Sequence, residues 1–190
     1  MRSNLFVLFA SVISVIGIAQ DVIQTHKVPT TVPFVPQTKE VSGKILLDGE
    51  INMVFPLFGP IREAEWAEGW EPVVRFPPDG KVRAGMVFTI QDHDGNQVVW
   101  LVTEFDEESH RAAYVHLGGS SMMVRIEIVC RPVGEKQTEA QVSYSYTGLD
   151  ENGNRTVGIV ELDQQPHRLH EWEQAIQHLL KTGKRYHHGA

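Results

Sequence analysis

The sequence predicts an α+β fold, in which a curved antiparallel sheet of about six to seven strands wraps around a long C-terminal helix, with two short helices after the first strand. Two patterns indicate this order. Short segments along most of the chain alternate apolar and polar residues, whereas only the last part has apolar residues at helical spacing. An antiparallel sheet needs its apolar face covered, and the terminal helix is the element that we expect to cover it.

The first strand is predicted in VSGKILLDG, where Val41, Gly43, Ile45 and Leu47 alternate with a largely polar set. The segment after it contains two prolines, which favour two short helices over one long helix. Pro60 directly follows a glycine, so it suits the first position of the second short helix.

The remaining strands are predicted in PVVRF, MVFTIQ, QVVWLVTEF, RAAYVHL, MVRIEIVCR and AQVSYSYT. The Asp94-Gly95 pair between the second and third of these segments is typical of a hairpin turn. Alternation is most regular in the last segment, where Tyr144 and Tyr146 fall on the apolar face.

The C-terminal helix is predicted from one apolar stripe, which consists of Ile159, Leu162, Leu169, Trp172, Ile176 and Leu179. Pro166 falls on the same stripe and therefore predicts a kink or a break in the helix. Gly183 predicts the end of the helix, because glycine readily adopts the left-handed conformation that closes a helix.

The N-terminal segment is typical of a secretory signal peptide, because Arg2 precedes an uncharged run from Leu5 to Ala19. This run is shorter than the roughly 20 residues that a helix needs to span a bilayer. Cleavage after Ala19 would export the protein to the periplasm or the exterior. The alternative is an uncleaved anchor, which would be the only membrane contact. We therefore predict a signal peptide over residues 1–19, a proline- and threonine-rich extended segment over 20–39, the folded domain over 40–184 and a tail over 185–190.

The composition excludes several functional classes. The formal net charge is −7 and the basic residues form no stripe, so we expect no nucleic-acid partner. Cys130 is the only cysteine of the chain, which excludes an internal disulfide and a cysteine-based zinc cluster.

The histidines of HRLHEWEQAIQHLL raise the question of a metal site. A zincin requires two histidines one turn apart with a glutamate after the first, and Gln174 stands where the second histidine would follow His170 and Glu171. The inverted motif fails as well, because His167 and His170 do not have the required spacing to a glutamate. We therefore interpret His167, Glu171, Gln174 and His178 as a solvent-facing stripe, and we predict no metal and no cofactor.

Several aromatic residues are candidates to line a ligand cavity. Tyr114 and His116 share one face of their strand, but the pattern leaves open whether this face points inward. If it does, His116 is the best acid or base, because its ordinary pKa lies near neutrality. The complete set of candidate ligand-binding residues is Phe88, Trp100, Tyr114, His116, Tyr144, Tyr146 and Trp172. The alternative is that these side chains simply fill a core.

Four segments carry a resemblance to a known family: FPLFGPIREAEWAEGWEP, VVWLVTEFD, TEAQVSYSYTGLDENG and WEQAIQHLLKTGK. In this order, over residues 41–183, the chain resembles the START-like helix-grip superfamily (SRPBCC), which includes polyketide cyclase/dehydrase and lipid-transport proteins. The resemblance implies a sheet that grips the C-terminal helix around an apolar cavity. It also implies binding of lipids, steroids or polyketides, with chemistry in some members. The superfamily has no shared catalytic motif, so no catalytic residue is assigned.

Binding is favoured over catalysis, because no acid or base with a fixed partner is visible in the sequence. The predicted function is an exported binding or carrier protein for an apolar, lipid-like or polyketide-like small molecule. One alternative is a cyclase- or dehydratase-type enzyme that uses an acid or base in the same cavity. The other is a non-catalytic interaction domain with a closed core.

Overall fold

The computed structural model describes residues 33–92, 94–119 and 121–187. The predicted signal peptide, its cleavage site and most of the extended segment lie outside these residues. None of the helices within the described residues is long and apolar enough to cross a bilayer.

The core of the fold is one seven-stranded sheet in which all neighbouring strands are antiparallel, in the order β1-β7-β6-β5-β4-β3-β2. The strands are β1 (Thr38–Leu47), β2 (Val73–Phe76), β3 (Val87–Gln91), β4 (Gln97–Asp106), β5 (Arg111–Gly118), β6 (Met122–Gly134) and β7 (Gln137–Gly148). The predicted fold class is confirmed, with a hairpin between β3 and β4 where Asp94-Gly95 predicted one. β1 begins at Thr38, so it includes the last two residues of the segment that we predicted to be extended.

Two short α-helices follow β1, as predicted. They are α1 (Ile51–Val54) and α2 (Pro60–Glu63), and a 3-10 turn over Phe55–Phe58 lies between them. Pro60 occupies the first turn of α2, where its missing N–H costs no helical hydrogen bond.

The C-terminal part of the chain forms two α-helices, α3 (Glu151–Ile159) and α4 (Gln165–Thr182), with a 3-10 turn over Leu162–Gln164 between them. The break predicted at Pro166 is confirmed, whereas the assignment of Ile159 to the apolar stripe of the terminal helix was wrong. Asp150 caps α3 by accepting a hydrogen bond from the Gly153 backbone N–H at 2.8 Å. Ile159 is 80% exposed and belongs to α3. The helix is interrupted before Pro166, which lies in the first turn of α4. Proline is tolerated in that turn but would disrupt the interior of a helix.

One face of the sheet is apolar and is covered by α4. Leu169 and Ile176 of α4 are buried, and Ile176 has no exposed surface. Gly43 of β1 lies directly under Leu169, and a Cβ atom at this position would overlap the leucine side chain. The glycine therefore allows α4 to approach β1 closely. Gly183 ends α4 in the left-handed conformation, with its N–H bonded to the Leu179 carbonyl at 2.7 Å, as the sequence predicted.

Strand register shows whether Tyr114 and His116 of β5 point inward, which the sequence left open. His116 pairs directly with Trp100 on one side and with Val124 on the other, and Tyr114 pairs with Val102. Directly paired residues share a face of the sheet. Val102 and Val124 are buried, so Tyr114 and His116 both point toward the covered face.

Candidate functional site

A cavity of about 50 Å³ lies between the covered face of the sheet, α2 and α4. Most of its wall is aromatic, and a single carboxyl group interrupts it. The lining residues are Glu63, Trp70, Trp100, Tyr114, Ile126, Ile128, Tyr144 and Trp172. The sheet supplies Trp100, Tyr114, both isoleucines and Tyr144, whereas Glu63 and Trp70 come from α2 and the turn after it.

Four of the predicted site residues line this cavity, and three lie behind them. Trp100, Tyr114, Tyr144 and Trp172 form part of the wall. The other three support it: Phe88 stacks on Trp100 at 5.8 Å between ring centroids, His116 lies 4.0 Å from Trp100, and Tyr146 stacks on Tyr144 at 6.1 Å. Register brings the six strand residues to the covered face of the sheet, and Trp172 faces them from α4, but only four of the seven line the cavity.

Sequence reasoning missed the two tryptophans of EAEWAEGW, which hold the turn after α2 against the sheet. The Trp66 indole N–H donates to the Leu57 carbonyl at 2.7 Å, and the Trp70 indole N–H donates to the Pro60 carbonyl at 2.9 Å. Trp70 meets Trp100 edge to face, with their ring centroids 5.3 Å apart. The signal was present, because two tryptophans in a loop-like segment are typical of a site or a packed lid.

Glu63 is the functional candidate that the sequence did not reveal. It is the last residue of α2, and its side chain forms part of the cavity wall. The Glu63 side chain is half-buried, and its apolar surroundings raise its pKa from 4.5 to about 8, because they disfavour the charged form. Among the described residues no cation pairs with it, since the adjacent Arg62 is occupied by two 2.9 Å hydrogen bonds to Glu65.

The two tyrosines near Glu63, Tyr114 and Tyr144, contact other groups. Tyr114 donates its hydroxyl proton to the Phe58 carbonyl at 2.6 Å. The Arg168 guanidinium lies 5.2 Å from the centre of the Tyr144 ring and donates to the Gln165 side chain at 3.3 Å. Burial raises the pKa of both tyrosines well above its usual value, so both are neutral at physiological pH.

His116 points inward but does not line the cavity. Its ring packs against Trp100, and its Nδ1 is buried without a hydrogen-bond partner in the described part of the chain. Burial lowers its pKa, against a smaller opposing effect from the Leu117 backbone. Glu63 therefore replaces His116 as the better acid/base candidate, because only Glu63 reaches the cavity.

An open groove of about 380 Å³ lies on the outer side of Trp172. The groove is lined by Trp66, Ala67, Glu68, Glu171, Trp172, Ala175 and Tyr186. Trp172 thus forms a wall of both the cavity and the groove. It meets Trp66 edge to face at 5.3 Å, and its indole nitrogen makes no hydrogen bond within the described residues.

The histidine stripe of α4 is a surface feature. His167 lies 3.5 Å from Glu171, and His170 lies 3.0 Å from the Gln174 side chain. In residues 33–92, 94–119 and 121–187, no group of three histidine, cysteine, aspartate or glutamate side chains is placed to hold a metal ion.

A seven-stranded antiparallel sheet that grips a long C-terminal helix is a helix-grip fold, and this chain has that fold. Solved structures share it. Norcoclaurine synthase from Thalictrum flavum, as a point mutant with a transition-state analogue, aligns over 80% of this chain and 99% of its own, with 14% identity and a TM-score of 0.60.

The same enzyme in complex with dopamine and hydroxybenzaldehyde aligns over 78% of this chain and 90% of its own, with 13% identity and a TM-score of 0.56. The di-domain ARO/CYC protein BexL aligns over 75% of this chain and 46% of its own, with 14% identity and a TM-score of 0.57. At these identities the likeness establishes the fold. Neither a protein-family model nor a curated protein sequence matches the chain.

The raised pKa of Glu63 predicts a pH-dependent stability. The folded protein keeps this proton up to about pH 8, whereas the unfolded chain releases it near pH 4.5. Since the unfolded state then binds fewer protons, the free energy of unfolding falls as pH rises, by up to about 1.4 kcal/mol per pH unit in this interval. Denaturant unfolding at several pH values should show this loss in the wild type relative to Glu63→Gln. Glu65→Gln, which changes a carboxylate paired on the surface, should retain the loss. If the free energy of unfolding changed with pH equally in the wild type and in Glu63→Gln, the raised pKa of Glu63 would be contradicted.

Proposed function

We propose that this protein binds a compact apolar small molecule between the sheet and α4. The observation that carries the proposal is the aromatic cavity beside Glu63, because a few polar groups in a mostly apolar, concave wall are typical of small-molecule sites. The norcoclaurine synthase structure with dopamine and hydroxybenzaldehyde supports the choice of ligand class, since the same fold there holds two small aromatic compounds.

The size of the cavity limits the ligand. Sites for drug-sized molecules have volumes of roughly 300–1,000 Å³, and a cavity of about 50 Å³ holds only a small chemical group. If the Trp172 ring turns, the cavity joins the groove of about 380 Å³ and reaches that range. We infer that ligands enter past Trp172, and that a single ring with a short substituent fits better than a long acyl chain.

Small neutral aromatics such as benzyl alcohol should quench tryptophan fluorescence and raise the melting temperature of the wild-type protein. Ligand at about 100 times its dissociation constant stabilises the folded state by about 2.7 kcal/mol. Ile128→Phe should abolish binding, because Ile128 lines the cavity and the larger ring fills it. Val129→Phe is the matched control, since Val129 is the next residue of β6 and points to the opposite face.

Circular dichroism should first establish that both variants fold, because overpacking a core costs about 1–3 kcal/mol. If a broad panel of aromatic and lipid-like compounds leaves the wild type unchanged, the cavity is only a packing defect. The interaction domain with a closed core then becomes the better interpretation.

Acid/base chemistry is the second candidate function, and Glu63 is the observation that favours it. A carboxyl group with a pKa of about 8 can accept or return a proton near neutral pH, which a cyclase or dehydratase requires. The test is deuterium exchange at the α-carbon of a small ketone such as cyclopentanone, followed by NMR. Exchange that rises as pH approaches 8 and disappears in Glu63→Gln would indicate catalysis. Equal exchange with and without protein leaves binding as the function.

We also propose that the protein is exported, with cleavage after Ala19, on the strength of the uncharged N-terminal run and its small residues. N-terminal sequencing of the protein from its own host should therefore begin at Gln20. A mature protein that begins at Met1 and fractionates with membranes would instead favour the uncleaved anchor.

A further inference from the structure

We propose that the cavity beside Glu63 is a site for the ammonium group of a small organic amine, which Glu63 pairs with and the surrounding aromatic rings enclose. The inference rests on the binding function proposed above and names the ligand class. Two features of the described residues lead to it: a carboxyl group without a cation, and the concentration of ring faces around it.

The first feature is the missing countercharge. Buried carboxylates are stable when they are paired or hydrogen-bonded, and otherwise they take up a proton. The nearby cations have other partners: Arg62 binds Glu65, Arg168 lies over Tyr144, and Arg185 donates to the Ala64 carbonyl. None of the ion pairs within the described residues includes Glu63, so no side chain of the described fold supplies the positive charge.

The second feature is the aromatic wall. Trp70, Trp100, Trp172, Tyr114 and Tyr144 surround the same space as the carboxyl group. The face of an aromatic ring carries negative electrostatic potential and attracts a cation, most strongly for tryptophan. A neutral apolar ligand would gain nothing from the carboxyl group, whereas an ammonium ion gains from both the rings and the charge.

Size and surrounding charge favour the same ligand class. A cavity of about 50 Å³ suits a compact polar head, and the groove beyond Trp172 can hold the rest of the molecule. Two further acidic residues, Glu68 and Glu171, line that groove. The formal charge of the whole chain is −7, which also favours the approach of cations.

Binding of an ammonium ion at this position should release a proton. Near pH 7 Glu63 is the one cavity group that changes its state, because the other titratable groups that face it are fixed. Burial keeps Tyr114 and Tyr144 neutral, raises the pKa of the Cys130 thiol to about 12 and lowers the pKa of His116, and Arg168 stays charged. A bound cation favours the ionised carboxylate, so Glu63 loses its proton when the amine enters.

The test compares benzylamine, which is protonated at pH 7, with benzyl alcohol, which has the same number of heavy atoms and no charge. Isothermal titration calorimetry in phosphate and in MOPS buffer measures affinity and proton release together, because the two buffers differ in ionisation enthalpy and neither carries a net positive charge. We expect the wild type to bind benzylamine at least 10-fold more tightly than benzyl alcohol, with release of close to one proton. Glu63→Gln should lose most of the preference for benzylamine and release no proton, and Glu65→Gln, two residues away on the surface, should behave like the wild type.

The outcomes separate this inference from the proposed function. If neither compound binds the wild type, the binding function itself fails. If both bind with similar affinity and no proton is released, the cavity binds neutral aromatics and the ammonium site is wrong. This second result needs only the wild type, so the inference stays testable even if Glu63→Gln does not fold.

Discussion

The structure depends on one constraint, which is the need to cover a single apolar face of an antiparallel sheet. α4 packs on this face through Leu169 and Ile176, and it approaches β1 closely because Gly43 has no side chain. A straight helix cannot fill a curved sheet along its whole length. The segment with Trp66 and Trp70 covers the remaining part, and the cavity lies where sheet, helix and segment meet. Position and size of the site are therefore consequences of how the sheet is covered.

The same constraint explains which parts of the fold could be predicted from the sequence. A strand with one buried face must alternate, so β1, β6 and β7 were evident, and so was the inward direction of Tyr144 and Tyr146. α3 has no comparable requirement, because most of its residues are exposed and its main signal is the single cap at Asp150. Periodicity placed Ile159 on the apolar stripe of α4, because spacing alone does not locate where one helix ends and the next begins, although Pro166 did indicate a break.

The sequence pattern also failed to identify Glu63, the residue on which the candidate site depends. Periodicity assigns a residue to a face, but it does not indicate how deep that residue lies in the folded chain. Glu63 belongs to a four-residue helix that is too short to show a polar and an apolar side, and it stands one residue from the surface pair of Arg62 and Glu65. Three charged residues within four positions suggest a solvated turn. Only the tertiary structure shows that one of them faces a cavity.

Hydrogen bonding distinguishes the rigid parts of this site from the part that can move. The indole groups of Trp66 and Trp70 are each fixed by a bond to a backbone carbonyl, and the Tyr114 hydroxyl is fixed in the same way. Trp172 is held in the described structure by ring contacts without a hydrogen bond, and it is half-buried. A ring held by contacts alone can change its rotamer without leaving a buried polar group unsatisfied, whereas rotation of Trp66 would lose its bond. Rotation of Trp172, which separates the cavity from the groove, would therefore break no hydrogen bond of the described structure. The proposed entry of a ligand past Trp172 would thus require the rotation of one side chain and no opening of the sheet.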